Sequence, residues 1–252
     1  MTMIKFLLRH SFVLLAMTTA ASAQEAPLVA DVSENLVAIT TGFTGKEVLL
    51  FGATDGPGDI AIIVKGPSRD MTIRKKDRFG PIWINSDSAT FRDVPSFYRI
   101  ASSRPLEEFA PPNLLSRFQI GTDNIRLETV EGNQLAPEAV PEFRQALLRL
   151  KTGQQLYDEN LGSVNITSNR LFRTRILFPA NVPTGTYIVE VYLFRNGTVA
   201  AAEIVPFNIS KTGFGADVYD FAHDFGAIYG LLAIALAVGA GWAASAALFR
   251  RT

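Results

Sequence analysis

The sequence predicts a mainly β ectodomain, built as one or two immunoglobulin-like β-sandwich domains with one short amphipathic helix, ahead of a single C-terminal transmembrane helix. Three observations carry this. Apolar or alternating runs recur about every 8–12 residues from 28 to 65, punctuated by Gly, Pro, Asn and Asp, which is the spacing of a sandwich, and strand-like runs return from 162 to 209. Residues 225–249 include no charged side chain. The 252 residues contain no cysteine, so the ectodomain must hold by its core, without disulfides or thiolate metal sites.

The chain opens with Lys5, Arg9 and His10, an apolar core at 12–17 and Ala21-Ser22-Ala23 before Gln24, so residues 1–23 read as a cleaved signal peptide. Strands follow at 28–33, 35–43, 47–53 and 60–65, with 47–53 reading as fully buried. The loop Thr54-Asp55-Gly56-Pro57-Gly58 lacks the Lys and Ser/Thr of a phosphate-binding loop. Residues 65–104 form the most basic part, and include the aromatic segments 79–85 and 95–106. The Pro-rich stretch 105–115 reads as partly helical, with Asn113 as cap, and a domain boundary falls near Ser116. The extended pattern resumes at 118–120 and 124–127. The clearest ectodomain helix covers 141–152, with Phe143, Leu147 and Leu150 on its apolar face and Arg144, Arg149 and Lys151 in solvent. Strands at 162–167, 171–178, 186–194 and 198–209 complete the β pattern, the last two joined by Asn196-Gly197 as a type I′ hairpin turn. The reading is a first sandwich domain over 24–115, a second β-rich domain over 116–212 and a juxtamembrane linker over 213–224.

The apolar run 225–249 gives roughly 37 Å of helix, enough to cross a bilayer core of about 30 Å. Arg250 and Arg251 follow it, and Asp217, Asp220 and Asp224 precede it, so the positive-inside rule puts the tail 250–252 in the cytoplasm and the ectodomain outside. Gly226, Gly230, Ala233, Ala237, Ala240 and Ala244 share one narrow face at helical spacing, the kind of face that lets helices approach closely in lipid.

The segments TGFTGKEVLLFGA, VKGP, GPIWIN, PSFYRIASSRPL, FRTRILFPANVPTGTYIVEVYLFRNG and YDFAHDFGAIYGLLAIALAVGAGW together resemble Alph_Pro_TM, an alphaproteobacterial transmembrane-protein family, over nearly the whole mature chain. The resemblance implies a Gram-negative inner membrane, a periplasmic ectodomain and gene neighbourhood with a sulfite-exporter-type permease. It brings no catalytic residues. Separately, PTGTYIVEV resembles the late strand of immunoglobulin-like and macroglobulin-like modules.

These features point to binding rather than chemistry. Once the signal peptide leaves, His223 is the one histidine, and Asp220 and Asp224 beside it are too few for a metal site, so no catalytic residue, cofactor or metal is assigned. Ser102-Ser103 has no adjacent base. The chain balances 24 basic against 24 acidic residues, and without the signal peptide and tail the ectodomain is slightly acidic, which argues against nucleic acid. The first functional expectation is a membrane-anchored accessory subunit at the inner membrane, with a multi-span protein such as a permease as partner. Its contact patch would use Trp83, Phe97, Tyr98, Arg99 and Arg104, since aromatics and Arg dominate interface hot spots. The alternative is a binding or sensing module for an anionic solute, held by Arg74, Arg78, Arg92 and Arg99.

Overall fold

The computed structural model describes residues 26–40, 42–130, 137–158 and 161–249. The signal-peptide segment 1–23 and the tail 250–252 lie outside them. In chain order the first strands are β1 (Leu28–Val32), β2 (Leu36–Ile39), β3 (Gly45–Thr54), β4 (Asp59–Lys65), β5 (Ser68–Phe79), β6 (Ile82–Pro95) and β7 (Tyr98–Ser102). Helix α1 (Pro112–Phe118), β8 (Glu128–Thr129) and helix α2 (Val140–Gly153) come next. They lead to β9 (Gly162–Ser163), β10 (Asn165–Thr167), β11 (Leu171–Pro179), β12 (Gly185–Arg195) and β13 (Thr198–Lys211), then helices α3 (Phe214–Asp224) and α4 (Gly226–Phe249).

Period-two burial builds the first sheet, ordered β1-β3-β11-β10. On β11, Phe172, Thr174, Ile176 and Phe178 point inward while Leu171, Arg173, Arg175 and Leu177 face solvent. The second sheet is ordered β2-β13-β12-β4-β7-β9. Its inward residues, among them Ile62, Val64, Tyr187, Val189, Val191 and Phe207, join Val48, Leu50 and Phe178 of the first sheet in one hydrophobic core. Phe178, Tyr187 and Phe207 stack there with ring centroids 5.3–5.7 Å apart, within the range favoured for aromatic pairs. Both sheets therefore take strands from either side of Ser116: β3 pairs with β11, and β4 with β12.

One expectation about strand burial changes. Strand β3 alternates instead of being buried throughout: Val48 and Leu50 are inside while Phe51 is exposed. The fully buried strand is β4, where Ile60 to Val64 are all inside. The reason is a third layer. The segment that carries α1 lies over the outer face of the second sheet, with Phe118 stacked 4.9 Å from Tyr192 and the Tyr98 hydroxyl donating to the Gln119 carbonyl at 2.5 Å. Helix α1 starts behind Pro111, with Pro112 in the first turn, so Asn113 is inside the helix and is not its cap. Residues 118–120 end this helix rather than resuming a strand, because Gln119 takes the left-handed conformation (φ 55°) that closes it.

A separate long hairpin, β5–β6, with the short β8 beside it, forms the third sheet. Its base packs Ile73, Ala89, Phe91 and Val94 against Phe143 and Leu147 of α2. The buried face of α2 is centred on Leu147. At 100° per residue that favours the 143/147/151 row, so Lys151 is buried and Leu150 is exposed, the reverse of the sequence expectation. Arg144 is not simply solvated either: it donates to the carbonyls of Ile125 and Asp123 at 2.9 and 2.6 Å. The juxtamembrane stretch forms helix α3. Phe221 on it meets Phe225 and Tyr229, with centroids 5.6 and 6.5 Å apart.

Candidate functional site

Strand registers define two poles. Strand β13 ends at Lys211, on the side where the chain passes into α3 and α4. Gly185 at the start of β12 pairs with Ile209, so β12 begins at this same pole, and Arg195 at its other end pairs with Thr198. Ile188 pairs with Lys65 and Phe194 with Asp59, so β4 starts at the far pole and ends near α3. Tyr98 pairs with Lys65 and Ser102 with Ala61, so β7 runs back to the far pole. The far pole thus collects the β3–β4 loop, the segment after β7 and the β12–β13 turn. The near pole collects Gly66-Pro67 and Pro95-Ser96, the base of the long hairpin.

At the far pole these loops enclose an open groove of about 1110 Å³. The β12–β13 turn forms as its sequence demands, with Asn196 at φ 51° and Gly197 at φ 72°. Arg104 clamps Asp59 with two bonds, Nε to Oδ1 at 2.7 Å and an Nη to Oδ2 at 2.8 Å, and reaches Glu108 at 3.2 Å. Arg195 pairs with Asp55 and donates through Nε to the Pro57 carbonyl at 2.9 Å, holding the β3–β4 loop against the turn. That guanidinium keeps the Asp55 carboxyl below its ordinary range. Phe109 and Phe194, 5.3 Å apart, form an apolar floor, and Ile166 and Pro111 line the sides. The groove is open, and its wall mixes apolar and charged side chains.

The residues singled out from sequence do not form one site. Phe97 and Tyr98 are fully buried core residues. Arg99 is largely buried in an ion pair with Asp158 at 3.6 Å. Arg104 belongs to the far groove, and Trp83 is 66% exposed near the tip of the long hairpin. Arg74 and Arg78 lie on the hairpin's exposed half, while Arg92 pairs in register with Glu128 of β8. Of the four arginines of the anion reading, Arg74 and Arg78 share β5, Arg92 lies on β6 and Arg99 on β7, so they line no common pocket among the described residues. Sequence reasoning missed the groove because its walls come from four distant segments. It also read 79–85 only as an aromatic segment, although Gly80-Pro81 within it was a signal for a hairpin turn.

Helix α4 contains a 21-residue stretch, Gly226–Ala246, of mean hydropathy 1.9, none of it buried against the rest of the protein. A family model described as "Putative transmembrane protein (Alph_Pro_TM)" matches residues 27–251. The chain belongs to this family. Family membership and α4 together make it a membrane protein with a β-rich domain ahead of one apolar C-terminal helix. The small face Gly226, Gly230, Ala233, Ala237, Ala240 and Ala244 lies on α4, and a Cβ at Gly226 or Gly230 would meet nothing within 4 Å. No curated protein matches the chain. Among solved structures, a chain from "Structural basis of T cell specificity and activation by the bacterial superantigen toxic shock syndrome toxin-1" is similar at 7% identity and a TM-score of 0.28, over 73% of this chain and 99% of that one. A likeness at that score carries no argument.

Proposed function

We propose that this Alph_Pro_TM member is a non-catalytic accessory subunit of an inner-membrane complex, with a periplasmic ectodomain that binds a multi-span partner such as a permease. The observation that carries this reading is the loop-built groove at the pole opposite α4, held open by the Arg104–Asp59 and Arg195–Asp55 pairs. A binding module presented away from its anchor fits an extramembrane segment of a partner, while the small face of α4 offers a second contact within lipid. The ectodomain then reads as one immunoglobulin-like sandwich rather than two domains. The order β1-β3-β11-β10 corresponds to strands A-B-E-D, and β13-β12-β4 to G-F-C. The Tyr187 hydroxyl donates to the Pro183 carbonyl at 2.6 Å from the start of β12, where such sandwiches carry their tyrosine corner. In that reading the groove is ringed by the loops that immunoglobulin variable domains use for recognition.

The test is a mild-detergent pull-down of the tagged full-length chain, beside an Ile166→Arg variant and a copy lacking residues 225–252. Ile166 lines the groove and is partly exposed, so a charge there changes its wall and not the core. A membrane protein recovered with the intact chain and lost with Ile166→Arg supports the proposal. Recovery unaffected by Ile166→Arg removes the groove from it.

A further inference from the structure

The long hairpin is out of proportion to its support. Its base is packed by α2, but from Arg74 to Phe79 and from Ile82 to Ser88 every residue is exposed on both faces. A bare two-stranded ribbon is marginal in water, and this one also ends in apolar side chains. Phe79 is 73% exposed and Trp83 66%, with Ile82 and Ile84 exposed beside them. Phe79 opposes Ile82 and Asp77 opposes Ile84 on one face, while Trp83 opposes Arg78, with Lys76 next along, on the other. The turn is tight: Gly80 stands at φ +60°, where Pro81 follows at the second central position. Behind this apolar tip lie Arg74, Lys75, Lys76 and Arg78, against Asp77 and Asp87. Lys75 is held by Glu142 at 3.2 Å, while Arg74, Lys76 and Arg78 carry exposed charge along the ribbon.

The base of the hairpin lies at the pole nearest α4. Gly66-Pro67 and Pro95-Ser96 sit at the pole from which the chain leaves for α4. Gly66 donates to the Phe97 carbonyl at 2.9 Å and Ser96 to the Pro67 carbonyl at 3.0 Å. Pro67 packs against Gly185, where an added Cβ would come within 2.8 Å. The spacer between β13 and α4 is the 11-residue helix α3, about 17 Å long. The arm formed by the 12-residue β5 is about 40 Å long, more than twice the length of the spacer, so it is long enough to reach the membrane surface.

We propose that the β5–β6 tip docks onto the anionic surface of the same bilayer that α4 crosses, with Phe79, Ile82, Trp83 and Ile84 at the lipid interface and Arg74, Lys76 and Arg78 on the acidic headgroups. Aromatic side chains favour this interface, and basic residues next to it gain from anionic lipid. Among the described residues, no strand lies beside the outer edges of the ribbon beyond β8 at its base, so backbone groups at the tip are unpaired and the tip stays at interfacial depth, where water still reaches it. Anchored by α4 and by the hairpin, the domain has a fixed attitude and presents its far pole away from the membrane.

Trp83 and Trp242 are the two tryptophans, so the full-length Trp242→Phe variant reports on the tip alone. It is reconstituted into phosphatidylcholine vesicles with or without phosphatidylglycerol, using lipids brominated high or low on the acyl chain. The expected result is blue-shifted Trp83 emission, protected from acrylamide and quenched more by the shallow bromines, when phosphatidylglycerol is present. Quenching falls when Lys76→Glu and Arg78→Glu are added, or when salt is raised. Water-like emission with no bromolipid quenching in either lipid overturns the proposal. So does a photo-crosslinker at position 83 that captures another polypeptide in native membranes while vesicles give no quenching, which would assign the tip to a protein.

Discussion

Replacing Lys151 by Met should stabilise the protein, and the gain should depend on pH in a defined way. Lys151 is only 4% exposed, on α2, at the junction of the two cores. Its ammonium donates to the Ser96 carbonyl at 3.3 Å and lies 5.7 Å from the Tyr157 ring. No carboxylate pairs with it in the structure's described residues, and Arg69 repels it. Burial, with that repulsion added, lowers its pKa from 10.5 to about 8. Two to three pH units correspond to about 3 kcal/mol of penalty for burying the charged form. Met keeps much of the stem's volume, and removing the weak bond to Ser96 returns about 1 kcal/mol, so the net gain is about 2 kcal/mol at neutral pH. Below pH 8 both folded and unfolded chains carry the proton, and the penalty on the wild type is complete. Between about 8 and 10.5 the folded amine loses its proton while the unfolded one keeps it, so wild-type stability rises and the advantage of Met shrinks. Urea denaturation of both full-length proteins in detergent, followed by tyrosine near-ultraviolet circular dichroism, reads this directly, because Tyr98, Tyr157 and Tyr187 are buried. A Met variant less stable than wild type at pH 7, or a gain equal at pH 7 and pH 10, would refute the reasoning.

Two further substitutions test the frame around the candidate sites. Tyr187→Phe removes the 2.6 Å bond to the Pro183 carbonyl while leaving the ring in the core, so it should cost about 1 kcal/mol and lower the thermal midpoint; an unchanged midpoint would show that this bond does not brace the β11–β12 corner. Gly230→Leu should weaken association through α4 in membrane crosslinking without altering the dichroism of the β-rich domain, since nothing among the described residues crowds that position; undiminished crosslinking would exclude the small face as a contact.

Local pattern carried much of the architecture. Apolar runs and turn residues were enough to place β1 to β4 and β11 to β13, because each lies in a short run bounded by its own turn signals, whereas the single run 162–167 divides into β9 and β10, which join different sheets. Asn196-Gly197 announced its hairpin because both residues tolerate positive φ, and 225–249 announced a membrane helix because its length and lack of charge leave little else. Strands β5 and β6 escaped notice, since an arm exposed on both faces has no apolar alternation to read, and Lys and Arg there look like a solvated loop.

The candidate sites were barely legible. Which of Leu150 and Lys151 is buried depends on where α2 meets the hairpin, and that contact joins segments about seventy residues apart. Whether β3 or β4 is covered on both faces depends on the path of the α1 segment across one sheet only. The far groove exists because Arg104 finds Asp59 and Arg195 finds Asp55, pairs that no spacing rule connects. By itself the sequence determined the mainly β composition, most strand positions and the apolar C-terminal helix, all of which rest on interactions within a few residues. Only the tertiary structure decided the pairing of β3 with β11 and β4 with β12, the burial of Lys151, the groove and the exposed hairpin at the pole nearest α4, because long-range strand pairing alone brings those residues together or leaves them bare.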